Sequence, residues 1–118
     1  MENPLVNPDE IYLASFPFGG SAGMKLRPVL LLTGPVGSVP EVLVAYISSV
    51  IPPALLPSDI LLDPTAVEHA STNLRTTSVL RLHKLATIHG RNIVRRLGIL
   101  SHATASEVDS RLLELLGL

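Results

Sequence analysis

Pro28-Val29-Leu30-Leu31-Leu32-Thr33-Gly34-Pro35 decides the fold class of this chain. Five apolar residues run without a polar interruption and stop at a Gly-Pro pair, the length and punctuation of a fully buried strand rather than a helix. Val42 to Ser48 repeats the pattern, and Pro52-Pro53 and Pro57 then exclude regular structure. On the N-terminal side, Glu10 to Phe16 alternates as a half-buried strand that ends at Pro17, and Gly19 to Gly23 reads as a flexible connecting loop. On the C-terminal side, Ile60 to Leu62 predicts a short strand and Thr65 to His69 one helical turn. Ser78 to His83 alternates, placing Arg81 and His83 on one face, and Ile93 to Leu97 follows the turn at His89-Gly90 with Arg95 and Arg96 on opposite faces.

The last segment has a different period. Thr104 with Glu107 three residues later has the form of a capping box, and Val108, Leu112, Leu115 and Leu116 form an apolar stripe at helical spacing. Short strands with one terminal helix predict a mainly β domain, a small curved antiparallel sheet or partly open barrel. The length of 118 residues suits one domain, with residues 1–8, which hold Pro4 and Pro8, as a loose arm. No apolar run reaches the roughly 20 residues of a membrane helix, and the N-terminus lacks a secretion signal, so the expected location is the cytoplasm.

Composition narrows the chemistry. The chain has no cysteine, which removes disulfides, thiolate metal sites and thiol nucleophiles. The four histidines have no metal-ligand spacing, no serine sits in a Gly-x-Ser-x-Gly elbow, and Gly23-Met24-Lys25 departs from a phosphate-binding loop, so neither a metal nor a cofactor is expected. The net charge of −1 conceals a segregation. Residues up to Glu68 carry seven acids and two bases, whereas His69 to Ser106 carries six bases, all four histidines and no acid. Such a block suits a polyanion or an acidic protein partner.

Arg27, Ser48, Arg81 and His83 together suit phosphodiester chemistry without a metal. Arginines neutralise charge developing on phosphorus, a hydroxyl donates to a phosphate oxygen, and an imidazole moves a proton near neutrality. Structural alternatives stand beside these roles: Arg27 satisfying carbonyls at a strand start, Ser48 ending its strand, and His83 as a half-exposed strand residue.

Phe16-Pro17-Phe18, the Gly-rich loop, Lys25 to Leu32, Val44 to Ser49, Asp59 to Leu62, Thr77 to Leu85 with Thr87-Ile88, and Leu97 to Ser101 occur in an order that resembles the PemK/MazF-like toxins of type II toxin–antitoxin systems. The resemblance runs from about Asn7 to the C-terminus. It implies an SH3-like partly open barrel of about five to seven strands with a C-terminal helix. It also implies a homodimer that cleaves single-stranded RNA by internal 2′-hydroxyl attack, without metal, and that a cognate antitoxin silences.

Carried onto this sequence, the family's arginine before proline is Arg27 and its hydroxyl residue is Ser48. A later arginine falls on Arg81, and His83 stands where some members place an acid. Lys25, Ser49, Arg75, Lys84, Arg91, Arg95 and Arg96 would then contact RNA. Two other readings share the fold: a non-catalytic protein-binding module, and a gyrase-inhibiting toxin. The second is disfavoured because Leu112 to Leu118 lacks the aromatic typical of such inhibitors.

Overall fold

In the computed structural model, which describes residues 6–16 and 25–118, six strands form one antiparallel sheet. They are β1 (Glu10–Phe16), β2 (Lys25–Leu31), β3 (Glu41–Ser48), β4 (Asp59–Leu62), β5 (Ser78–His89) and β6 (Ile93–Ile99), in the order β4-β5-β3-β2-β1-β6. Helix α1 (His102–Leu116) follows. The expected Gly-rich loop at 19–23 lies outside the described residues. No helix among the described residues is long and apolar enough to cross a membrane.

The central strands are apolar on both faces because both faces are covered. Ile11, Leu30, Ala45, Ile47, Ile60, Leu62, Leu80 and Leu82 pack with Leu100 and Val108 on one side. Val6, Tyr12, Ala14, Val29, Leu31, Val42, Val44 and Ile88 pack on the other. Val6 of the N-terminal segment is thus buried, and the Asn7 N–H donates to Glu10 Oε1 at 3.0 Å.

β5 is twice the expected length. Its C-terminal half pairs with the start of β3 up to Ala45↔Leu85, and the register then jumps to Tyr46↔Arg81. Leu82, His83 and Lys84 are left without partners on β3, an irregularity that bends the strand and helps curl the sheet. The two sheet edges, β4 and β6, are not paired as strands. They are bridged by the segment after β4, a 3-10 turn over Val67–Thr72, two residues later than the helical turn expected at Thr65 to His69. Ser71 Oγ donates to Ile99 O and Asn73 Nδ2 to Leu97 O, both at 2.8 Å. Gly98 lies beneath the Ser71 and Thr72 carbonyls, where a Cβ has no room. The sheet is therefore an open barrel closed by side chains.

The N-cap of α1 lies three residues before the predicted one. Ser101 is the N-cap, its Oγ accepting from the Thr104 N–H at 3.2 Å, while Thr104 is buried in the first turn. Glu107 pairs instead with Arg111 one turn on, at 2.7 Å. Gly117 ends the helix at φ 72°, the left-handed conformation that favours glycine at this position. Of the predicted stripe, Val108 is buried and Leu112 packs on the core, but Leu115 and Leu116 are exposed.

Candidate active site

Pro28 opens the site. The Leu32 N–H donates to Leu43 O at 2.9 Å, so the even-numbered residues of β2 direct their N–H groups toward β3. Continuing that register, Leu30 stands opposite Ala45 and Pro28 would stand opposite Ile47, but proline has no N–H to give. Pairing ends at Val29↔Tyr46. Beyond it β2 and β3 part, and the next facing positions on the same register are Arg27 and Ser48.

A groove of about 610 Å³ fills this gap, lined by Arg27, Pro28, Tyr46, Ser48 and Ser49, by Asn73, Leu74, Arg75 and Thr76, and by Arg95 and Leu97 of β6, among others. Among the described residues its lining holds three arginines and no Asp, Glu or His. Arg27 Nε is buried and has no hydrogen-bond partner among the described residues. Leaving a buried guanidinium N–H unsatisfied is costly, and an anion entering the groove would remove that cost. Ser48 Oγ accepts from the Val50 N–H at 3.1 Å, and its proton rests on Val50 O at 3.4 Å, a long contact that is readily exchanged for another acceptor.

The four expected catalytic residues divide into two pairs. Arg27 and Ser48 share the groove, whereas Arg81 and His83 do not line it. Arg81 stands between Tyr46 and Asp59 in the sheet and turns toward β4. Its Nε donates to Asp59 Oδ1 at 3.0 Å and its Nη2 to Oδ2 at 3.1 Å. His83 Nδ1 lies 3.9 Å from the same carboxylate. Arg81 and His83 thus lie apart from Arg27 and Ser48, and a fully buried aspartate, 22 residues from Arg81 in sequence, pairs with the guanidinium. Burial alone would raise the Asp59 pKa, but the Arg81 hydrogen bonds, the Leu56 N–H, and the Arg81 and His83 charges hold it below the ordinary carboxylate value.

The expected RNA contacts divide as well. Ser49, Arg75 and Arg95 line the groove, and Lys25 is exposed on β2 two residues from Arg27. Lys84 sits 5.9 Å from the Tyr46 ring centroid. Arg91 lines a separate, smaller cavity. Arg96, on the face opposite Arg95, is committed to Glu10 at 2.7 Å. Glu10 also accepts from the Tyr12 hydroxyl at 2.8 Å, and burial together with that carboxylate pushes the Tyr12 pKa up to about 12. Sequence reasoning overlooked Tyr46, Asn73 and Thr76. Asn73 had a local signal, since asparagine tolerates the left-handed conformation it adopts at φ 55°; the other two had none. No group of three or more His, Asp or Glu side chains able to hold a metal occurs among the described residues.

One curled antiparallel sheet, closed by side chains at its edges and carrying an arginine-lined groove where a proline splits two strands, defines a small β-barrel domain with a cationic cleft. The chain belongs to the PemK-like, MazF-like toxins of type II toxin–antitoxin systems, whose family model matches residues 7–116.

Solved structures of similar fold include the Mycobacterium tuberculosis toxin MazF-mt6, with 23% identity, 92% of this chain and 97% of that one covered, and a TM-score of 0.71. A mycobacterial endoribonuclease in complex with its cognate antitoxin has 16% identity, 96% coverage of both chains and a TM-score of 0.71. MazF from Deinococcus radiodurans has 17% identity, covers 98% and 100%, and gives 0.69. At these identities the likeness is one of fold. No curated protein matches the chain by sequence.

Proposed function

We propose that this chain is the toxin of a type II toxin–antitoxin system and an endoribonuclease that cleaves single-stranded RNA in the cytoplasm without a metal. The observation that carries the proposal is the buried Arg27 Nε, without a hydrogen-bond partner among the described residues, in the groove that Ser48 also lines. Arg27 binds the scissile phosphate and stabilises the charge that develops on it. Ser48 Oγ donates to a non-bridging oxygen. The ribose 2′-oxygen attacks phosphorus while the bond to the 5′-oxygen breaks, leaving a 2′,3′-cyclic phosphate and a free 5′-hydroxyl.

The proton of the attacking hydroxyl leaves to solvent water, and water protonates the departing 5′-oxygen, because among the described residues the groove lining offers neither a carboxylate nor an imidazole. Arg81 and His83 then serve the fold through Asp59. Arg75, Arg95 and Lys25 contact flanking phosphates. The protein acts as a homodimer, and the cognate antitoxin silences it by placing an acidic segment over the same arginines. Family membership and the antitoxin-bound mycobacterial relative support this part of the reading.

The test is incubation of purified protein with a long single-stranded RNA in EDTA, followed by analysis of the fragment ends. Cyclic phosphate and 5′-hydroxyl ends are expected, with Arg27→Ala about a hundred- to thousandfold slower and still folded. Cleavage that needs an added metal, or that survives Arg27→Ala, refutes the mechanism.

A further inference from the structure

β6 is an edge strand, and the carbonyls on its open side would face water if the preceding chain did not cover them. Ser71 and Asn73, alternate residues, satisfy those of Ile99 and Leu97. Leu97 and Arg95 on β6 line the groove, as do Asn73 itself, Arg75 and Thr76. Asn73 is therefore the point at which two groove-lining segments are tied together. Its backbone takes the left-handed conformation, φ 55°, with its N–H on Ala70 O at 3.3 Å. The chain reverses there, so that Leu74 enters the core while Arg75 and Thr76 return to the groove. Arg75 has no ion pair among the described residues, so its place depends on the backbone that carries it.

We infer that Asn73 is a positioning residue for the RNA backbone: its amide tether to Leu97 O holds Arg75 in the wall of the groove that Arg27 and Arg95 also line. This inference rests on the proposed RNA-cleaving function, which it deepens by assigning a residue that sets substrate binding without touching substrate. The tether is formed by the Nδ2 donor alone, so Asn73→Gly keeps the backbone turn and removes the tether. Asn73→Asp keeps the size and turn but presents only acceptors to a carbonyl oxygen.

The test measures binding of a 2′-O-methyl single-stranded oligonucleotide, which lacks the attacking hydroxyl, across a salt series, for wild type, Asn73→Gly, Arg75→Ala and the double variant. Asn73→Gly is expected to weaken binding about tenfold and to reduce the slope of log Kd against log salt by about 0.7, the value of one lost phosphate contact on a single strand. Arg75→Ala should cost about tenfold in the wild type and less than about twofold in the Asn73→Gly background, a coupling that a generally loosened fold does not produce. On cleavable RNA, KM should rise while kcat stays within about threefold.

Independent, multiplicative effects of the two substitutions overturn the inference, as does a folded Asn73→Gly with wild-type affinity and salt slope. Should Asn73→Gly fail to fold, the same cycle with Asn73→Asp decides the matter by the same criteria. If the wild type binds the oligonucleotide but cuts no RNA, the endoribonuclease reading fails and the binding cycle still judges the tether. No binding by the wild type overturns both.

Discussion

Replacing Asp59 by alanine should cost this protein about 3 kcal/mol of stability. The carboxylate is fully buried and accepts three hydrogen bonds: two from Arg81, whose side chain is 18% exposed, and one from the Leu56 N–H at 2.9 Å. Alanine leaves a mostly buried guanidinium and a backbone donor with nothing to bind. Breaking a buried pair from one side typically costs about 3–5 kcal/mol, and the residual exposure of Arg81 puts the value at the lower end. Against a total of about 5–15 kcal/mol for a domain of this size, that is a large share. With a urea m-value of about 2 kcal/mol per molar, the midpoint should fall by about 1.5 M.

Removing both partners is a different perturbation, since two leucines leave no stranded charge. The Asp59→Leu, Arg81→Leu double variant should return to within about 1 kcal/mol of wild type. The sign with pH follows from the lowered Asp59 pKa: the stabilisation is fully present above the unfolded carboxyl value of about 3.9 and is lost as pH falls through the lower folded value. The gap between wild type and Asp59→Ala should therefore close below about pH 4. Urea melts of wild type, Asp59→Ala, the Asp59→Leu and Arg81→Leu single variants and the double variant at pH 7 and pH 3 measure all of this. A cost for Asp59→Ala under about 1 kcal/mol, or single effects that simply add, would refute the claim that the pair is structural. So would loss of RNA cleavage in a well-folded double variant, which would return Arg81 to the catalytic machinery.

Other outcomes follow from the same geometry. Ser48→Thr keeps the hydroxyl and should cut RNA within about threefold of wild type, while Ser48→Ala should be about a hundredfold slower in single-turnover assays. Gly98→Ala sets a Cβ against the Ser71 and Thr72 carbonyls, backbone that cannot swing aside, and should cost about 3 kcal/mol in urea unfolding. In an ultraviolet titration one tyrosine should ionise only near pH 12 and Tyr12→Phe should abolish that step, because burial and Glu10 keep the Tyr12 phenol protonated. The stabilisation linked to that raised pKa is complete below the unfolded value near 10 and is lost as pH rises toward 12.

Elements whose signal was local were legible before folding was considered. The run Pro28 to Thr33 gave β2, although its first regular residue is Lys25, and the helical stripe after Ser101 gave α1. The helix start was misplaced because Thr104-x-x-Glu107 and Ser101-x-x-Thr104 both suit a cap, and only the burial of Thr104 decides between them. β5 was read too short because its pairing with β3 skips three residues, so no single alternation runs through it. Arg27 and Ser48 could be named from sequence because the Arg-Pro step and the strand-ending serine are adjacent-residue features.

The sequence by itself determined the central strands and the C-terminal helix, the absence of thiol chemistry and the concentration of positive charge between His69 and Ser106. Tertiary structure decided how that charge is used. Arg81 and Arg96 lie in the same basic block as Arg75 and Arg95, yet Asp59 and Glu10 neutralise the first two while the groove receives the others. The reason is that charge pairing and desolvation act through space. An acid 22 or 86 residues away along the chain fixes a guanidinium's role once strand register brings the two within hydrogen-bonding distance, and no local pattern around either residue encodes that register.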